Sequence, residues 1–224
     1  MEEKQFVFKA LNPRNDEDVI KYFKLHQGLT DFLKLSARVD ENVIKWKRCH
    51  FGAPEYVFPD EYRNKPLPDL KEHADEFAFV CEYQGDFVGF IEVSTYHIVD
   101  GKRPDDDIGS ISDIFVKEEF RKGSNISLTL LKMGVQKLLE SGKNRAVCNV
   151  QEDNKHRYLH FAMADGNVVH KDKCKRKDGS ETIDYTLLID LKSLNEDLVN
   201  KKFAKRIAKY HLKIKNEDNQ NLSL

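Results

Sequence analysis

The 224-residue chain has little of what marks several specialised classes of protein. Its 11 glycines and 6 prolines exclude a collagen-like or low-complexity chain. Its 4 cysteines lie far apart without a CxxC pair, which argues against a disulfide framework or a structural zinc site, and we expect no metal centre. No stretch approaches the ~20 apolar residues that span a bilayer, and the first residues form no apolar signal segment. These absences predict a cytoplasmic protein.

Net charge also gives no pointer to a partner. Lys and Arg together number 37 and Asp and Glu 38, so the formal net charge is -1. A chain this neutral has no overall field that would draw it to nucleic acid or a membrane. Hydrophobic residues make up 40% of the chain, which is enough to build a buried core.

The hydrophobic patterns predict a mixed α+β fold with the order β-α-α-β-β-β-α-β-α-β-β. Period-2 runs on either side of Gly85-Asp86 and of Asp178-Gly179 predict two antiparallel hairpins. Helical spacing predicts helices at 16–35, from 41 onward, at 127–141 and at 154–165. Four of the six prolines fall in 54–68, which predicts an irregular loop insertion at about 54–75.

The C-terminal segment differs in composition from the rest. We expect a main domain at 1–191 and, at 192–224, a basic amphipathic helix running from Leu194 to about Ile214, followed by a tail. Eight Lys and Arg residues fall in 192–215. The apolar face of this helix is predicted to consist of Val199, Phe203, Ile207, Tyr210 and Ile214. Docking by that face is the simplest interpretation, while a surface for RNA, for an acidic protein, for a membrane or for a homodimer stays open.

The strand-loop-helix segment at 111–139 contains the residues that indicate a binding function. A strand ends at Val116, a polar loop follows, and a leucine-rich helix begins near Asn125. The first amides of a helix lack partners within the helix, so its N-terminus favours anions such as phosphate. The loop adds two cations, a glycine that permits close approach of the backbone, and small polar side chains: Arg121, Lys122, Gly123, Ser124, Asn125 and Ser127.

This segment resembles the GNAT superfamily of N-acetyltransferases. The similarity is carried by Asp-Ile-Phe-Val at 113–116, by Glu-Phe-Arg at 119–121, by the leucine-rich helix, and by the Asn154 to Gly166 helix. Two departures from the family pattern occur. Aligned from Lys122, the loop has Asn125 and Ser127 where glycines are usual, whereas aligned from Arg121 it is one residue longer; and Phe161 stands at the usual tyrosine position. The resemblance implies a mostly antiparallel sheet flanked by helices, here with an extra C-terminal helix.

The resemblance also implies acetyl-CoA as cosubstrate, lying between the fourth and fifth strands. The positions it implies for cofactor contact are Ile114, Phe115, Val116, Arg121, Lys122, Gly123, Ser124, Asn125, Ser127 and Asn154. Glu92 and Asp113 are the implied base or amine anchor, and Tyr158 is the implied proton donor to the departing thiolate.

The implied function is transfer of an acetyl group to a primary amine by direct attack in a ternary complex, with no membrane partner. Two alternatives stay open: a catalytically weak or inactive binding module of the same fold, and an RNA-associated acetyltransferase that uses the basic C-terminal helix.

Overall fold

A computed structural model describes residues 5–33, 40–53, 56, 75–95, 107–121, 125–154 and 157–221, with side chains described as far as 213. Within these ranges the strands are β1 (Val7–Ala10), β2 (Glu76–Tyr83), β3 (Asp86–Ser94), β4 (Ile108–Val116), β5 (Arg145–Gln151), β6 (Val168–Lys175) and β7 (Glu181–Asp190). The helices are α1 (Asp16–Phe32), α2 (Glu41–His50), α3 (Ile126–Glu140), α4 (Arg157–Met163), α5 (Leu191–Val199) and α6 (Phe203–Asn221). Apart from Tyr56 and Asp75, the predicted proline-rich insertion lies outside the described residues.

Local sequence signals set several of these boundaries. The side chain of Asn15 accepts a hydrogen bond from the amide of Asp18, which caps α1, and Asp40 caps α2 in the same way. After the C-terminal end of α3, Gly142 adopts φ 77°, a left-handed conformation that often ends helices and that glycine adopts without strain. The order of elements predicted from the sequence is confirmed as far as β7.

The described strands form one sheet with the order β1-β2-β3-β4-β5-β7-β6. All neighbouring strands are antiparallel except β4 and β5, which are parallel. The parallel pair results from the crossover through α3, since a helix is needed to bring the chain back to the starting edge. The mixed α+β fold with a mostly antiparallel sheet is therefore confirmed.

Strands β4 and β5 pair over only three residues, from Ile108 to Ser110 of β4. Beyond Ser110 the two strands separate, although β4 continues to Val116 and β5 to Gln151. A bulge lies on β4 at the same level, because the register with β3 jumps from Asp113 to Ile111 and skips Ser112. Bulges change the face to which the following side chains point, and they are frequent next to active sites. At Ser110–Ser112, β4 therefore separates from β5 and also changes the face of the sheet to which its side chains point.

Two hydrophobic clusters cover the two faces of the sheet. One contains α1 residues such as Tyr22 and Leu29 packed on Phe90. The other, larger cluster joins α3, α4 and the C-terminal helices to the opposite face, with Leu130, Leu131 and Ile189 among its fully buried members. The bulge assigns Asp113 to the face that α1 covers, whereas Ile111 and Ile114 pack on the α3 side.

The predicted single C-terminal helix is wrong, because the segment forms two helices, α5 and α6. The chain turns at Asn200–Lys202, where Lys201 has φ 56°. The break also removes Val199 from the predicted docking face, and its side chain is exposed. Phe203 and Tyr210 of α6 are buried in the main core, as the docking interpretation predicts. The boundary at residue 191 stays a prediction, and among the described helices none has the length and apolar character needed to cross a membrane.

Candidate active site

The separation of β4 from β5 opens a cavity of about 260 Å³ that reaches from the sheet to the helices around it. The sheet contributes the last residues of β4, α3 contributes its first turn, and α1, α4 and α6 close the sides. Its lining residues are Leu29, Phe32, Ile114, Phe115, Val116, Arg121, Ser127, Leu128, Asn154, Tyr158, Leu159, His160 and Ile207. Seven of the implied site residues therefore come together here, from three separate parts of the chain.

The open edge of β4 presents backbone groups to this cavity. The amide of Lys117 donates to the carbonyl of Val88 on β3 at 2.9 Å. Since successive residues of a strand direct their backbone groups to opposite edges, those of Ile114 and Val116 point away from β3 and toward the gap. The Val116 carbonyl on that side accepts a hydrogen bond from Arg121 Nε at 2.7 Å. A row of peptide groups is thus available to an extended ligand arm.

Arg121 lines the cavity, with its guanidinium between two aromatic rings. Its guanidinium carbon lies 5.2 Å from the ring centre of Phe32 and 5.3 Å from that of Phe115. These contacts, with the bond to Val116, hold the guanidinium in the cavity that Ser127 and Leu128 of α3 also line. The helix adds the partial positive charge of its unpaired first amides, and its first turn contains no acidic residue. This end of the cavity is suited to an anion.

The remaining loop positions fit the prediction less completely. Asn125 is the residue before α3, but its side chain makes no capping hydrogen bond and does not line the cavity. Lys122, Gly123 and Ser124 lie outside the described residues. Their contact with a cofactor stays a prediction.

Tyr158 is the tyrosine that lines the cavity within the part of the chain that the structure describes. It lines the cavity from α4, and its ring packs edge-on against His211 of α6 with 4.9 Å between ring centres. Phe161, at the family's usual tyrosine position, instead packs against Tyr185 of β7 at 5.5 Å. Phe161 thus replaces the family tyrosine, and the phenol of Tyr158 lies one helical turn earlier on α4.

Glu92 and Asp113 lie side by side on β3 and β4, on the face covered by α1 and outside the lining of the cavity. Glu92 is only 2% exposed, whereas the side chain of Asp113 is 29% exposed. Glu92 accepts a hydrogen bond from the Tyr22 hydroxyl at 2.5 Å and another from Lys47 Nζ. The structure thus keeps the two predicted carboxylates together but gives them different surroundings.

Lys47 connects Glu92 with a second buried carboxylate. Its ammonium lies 2.8 Å from Glu76 Oε2 and also contacts Glu92. Burial by itself would lower the pKa of Lys47, but the charges of Glu92 and Glu76 outweigh it and raise the pKa above its ordinary value of 10.5. Burial raises the pKa of Glu76, against the opposing charge of Lys47. Burial, followed by the charge of Glu92, raises the pKa of Tyr22 well above 10.

His26 on α1 completes this polar cluster. Its Nε2 atom lies 3.5 Å from Asp113 Oδ2. One ligand atom each from His26, Glu92 and Asp113 fall within 4.8 Å of one another. The sequence interpretation missed His26, Lys47 and Tyr22. Tyr22 and His26 are spaced i, i+4 on the apolar face of α1, and that spacing is the one sequence signal that could have pointed to them.

The described sheet thus has a gap between two parallel strands, with the N-terminus of α3 at that gap and the carboxylates Glu92 and Asp113 on the face that α1 covers. The chain belongs to the Acetyltransferase (GNAT) family, whose model matches residues 41–162. Members of that family use acetyl-CoA. The family and the acetyltransferase class predicted from the 111–139 motif are thereby confirmed.

Solved structures support the fold at low sequence identity. An N-acetyltransferase from Staphylococcus aureus Mu50 has a TM-score of 0.57 and 14% identity, over 84% of this chain and 99% of that chain. The Salmonella typhimurium protein yncA, with its cofactor acetyl-CoA, has a TM-score of 0.52 and 14% identity, over 83% and 94%. The ribosomal-protein-S18-alanine N-acetyltransferase of Escherichia coli has a TM-score of 0.51 and 12% identity, over 84% and 94%. No curated protein sequence matches the chain.

Proposed function

We propose that the protein transfers the acetyl group of acetyl-CoA to a primary amine by direct attack, with both substrates bound at once. The observation that carries the proposal is the parting of β4 from β5 after Ser110, which opens one cavity between the anion-suited end at Arg121 and the phenol of Tyr158. A cofactor that lies in this gap has its thioester at the sheet. An acceptor can then approach from the α1 face, where Asp113 lies.

The open edge of β4 supports a role in binding the thioester. Backbone amides of Ile114 and Val116 point toward the gap, and Phe115 lies between them. An amide there can donate to the thioester carbonyl, whose oxygen gains negative charge as the amine attacks. Donors fixed in advance stabilise that charge without reorganising during the reaction.

The anion-suited end supports a role in holding the pyrophosphate of CoA. Arg121 supplies a fixed positive charge and the first turn of α3 supplies free amides, with Ser127 beside them. Asn154 lines the same cavity from the end of β5. We include Lys122, Gly123, Ser124 and Asn125 in this subsite because they belong to the same loop.

The acid and base roles follow from exposure. Asp113 retains solvent access and can hold an incoming amine or take its proton, whereas Glu92 is covered by Tyr22 and Lys47 and contributes charge close by. Tyr158, on the cavity wall, is the candidate donor of a proton to the departing thiolate. Attack by an amine requires the nitrogen to be unprotonated, so one of these groups has to accept a proton.

Calorimetric titration of the protein with acetyl-CoA tests the cofactor half of the proposal. We expect saturable binding, and we expect Arg121→Gln to weaken it about tenfold or more, since a charge-assisted contact to an anion contributes roughly 1.5–3 kcal/mol. Lys132→Gln is the matched control because Lys132 is an exposed cation on α3 that does not line the cavity.

Release of CoA in the presence of a primary amine tests the catalytic half. We expect a free thiol and an acetylated amine in equal amounts, the first measured with a thiol reagent and the second by mass spectrometry. Absence of binding at millimolar acetyl-CoA, or an equal loss in the Lys132 control, contradicts the proposed cofactor site. Binding without transfer to any amine contradicts the proposed activity.

A further inference from the structure

We propose that His26, together with Glu92 and Asp113, forms the socket for the acceptor's ammonium group, and that His26 takes its proton. The inference rests on the proposed function and names the acceptor class: an aliphatic primary amine that arrives charged. Neither the fold nor the sequence motif assigns a role to His26.

The three ligand atoms lie close enough together to contact one primary ammonium. Such a group has three N–H donors in tetrahedral directions, and hydrogen bonds of about 2.9 Å from it place their acceptors about 4.7 Å apart. One ligand atom each of His26, Glu92 and Asp113 lie within 4.8 Å of one another. The His26 Nε2 and Asp113 Oδ2 atoms are 3.5 Å apart, which is longer than a good hydrogen bond between them and about 1 Å less than the tetrahedral spacing. An ammonium that bonds to both therefore moves these two side chains slightly apart.

The surroundings of the His26 ring leave Nε2 as the nitrogen that can bind a ligand. The ring lies between aromatic side chains, 6.0 Å from Tyr22, 6.4 Å from Phe23 and 5.8 Å from Phe90, measured between ring centres. Its Nδ1 atom is buried and has no hydrogen-bond partner within the part of the chain that the structure describes. Proton exchange of the ring with a ligand therefore occurs through Nε2, the atom that faces Asp113.

The charges around the cluster favour a cation with N–H groups. Glu92 and Asp113 are two carboxylates, and Lys47 is shared between Glu92 and Glu76, so it offsets only part of their negative charge. A carboxylate has about four lone-pair positions, so Glu92 can accept a substrate N–H in addition to the bonds from Tyr22 and Lys47. His26 supplies the cluster's imidazole, whose ring nitrogen can accept a proton from an ammonium.

The cluster lies next to the cavity in which the proposed thioester binds. Asp113 is two residues before Phe115 on β4, and His26 is one turn before Leu29 on α1. Both Phe115 and Leu29 line the cavity, so the socket lies beside its wall on the acceptor face.

The proton and bond changes balance as follows. The ammonium gives one proton to His26 Nε2, and the freed lone pair forms the C–N bond at the thioester carbonyl carbon. The C–S bond then breaks, and the sulfur receives a proton from Tyr158. Of the two protons that the nitrogen loses, one passes through His26 to solvent and the other replaces the proton given by Tyr158.

The experiment compares two His26 variants and one control variant, using one strongly basic and one weakly basic acceptor. Transfer from acetyl-CoA is first measured for n-butylamine, putrescine and an unblocked alanyl peptide with the wild-type protein. The best of these and 2,2,2-trifluoroethylamine, whose ammonium is largely dissociated at neutral pH, are then given to His26→Gln. His170→Gln is the matched control, because His170 lies 2.8 Å from Asp172 on the exposed strand β6.

We expect His26→Gln to lower kcat/KM for the charged amine by about 100-fold or more, the range of a lost general base, with a much smaller loss for trifluoroethylamine. Affinity for acetyl-CoA should be unchanged. His26→Ala should regain activity when imidazole is added, which separates lost chemistry from a damaged fold. An equal loss for both amines, no imidazole rescue, or His26→Gln matching His170→Gln overturns the role of His26. A wild-type protein that binds acetyl-CoA but acetylates no amine overturns the proposed function itself, before any variant is compared.

Discussion

Replacing Lys47 by methionine should destabilise the protein strongly, because this side chain is the shared counter-charge of two buried carboxylates. Glu76 and Glu92 have side chains only 6% and 2% exposed, and that of Lys47 is 14% exposed. Methionine keeps much of the volume and removes the charge, so the change isolates the electrostatic contribution. It also removes the hydrogen bonds to both carboxylates.

The magnitude follows from the geometry. Unit charges 2.8 Å apart, the distance from Lys47 to Glu76, attract by about 6 kcal/mol at an effective dielectric constant of about 20. Part of this attraction is offset by the cost of removing the charges from water, and breaking a buried pair by deleting one partner costs about 3–5 kcal/mol in practice. For a chain of this size that corresponds to a fall in Tm of about 6–20 °C.

The loss should also depend on pH in a definite direction. The pKa of Glu76 is already raised by burial, and loss of Lys47 removes the charge that opposes this rise. A carboxyl whose pKa is higher in the folded state stabilises the fold below its ordinary pKa and loses that contribution as the pH rises. The difference between Lys47→Met and wild type should therefore grow from pH 5 to pH 7, and adding Glu76→Gln to Lys47→Met should recover part of it.

Thermal and urea unfolding followed by circular dichroism measure these changes. Lys45→Met is the control, since Lys45 lies in the same helix and pairs with Glu41 at the surface, where ion pairs contribute little. Lys47 is not the counter-charge of the two carboxylates if Lys47→Met unfolds like Lys45→Met, or if its loss of stability is the same at both pH values.

Two further predictions concern the cavity and the sheet. In steady-state kinetics, Tyr158→Phe should lower kcat by about 100-fold and leave the KM for acetyl-CoA unchanged. Adding Phe161→Tyr should not restore kcat, because Phe161 packs against Tyr185 and does not line the cavity. Full recovery of kcat in the double variant would contradict the role of Tyr158 as proton donor. Gly109→Ala should cost about 1–3 kcal/mol, because its Cβ would lie 2.7 Å from the Ser94 carbonyl and 2.9 Å from Leu138. Gly28→Ala in α1 is its control, since that Cβ would meet Phe115 at 3.8 Å, and equal urea midpoints for the two variants would refute the steric explanation.

The sequence predicted the order of elements through β7 because those signals are local. Alternation of apolar residues, the caps Asn15 and Asp40 and the glycine turns all act over a few neighbouring residues. The same patterns failed at the C-terminus, where Val199 and Phe203 have compatible helical spacing. The turn at Lys201 depends on how α5 and α6 pack against different neighbours, which periodicity does not record.

For the site, the sequence by itself determined the anion-suited loop, because its cations and small polar side chains lie within one motif, whereas the strand residues 114–116 and the carboxylates Glu92 and Asp113 were predicted from the family resemblance. Only the tertiary structure decided that Lys47 and Tyr22 cover Glu92 and that His26 faces Asp113. These partners are 45 or more residues apart along the chain, and they meet only because α1 and α2 pack on the face to which the β4 bulge turns Asp113.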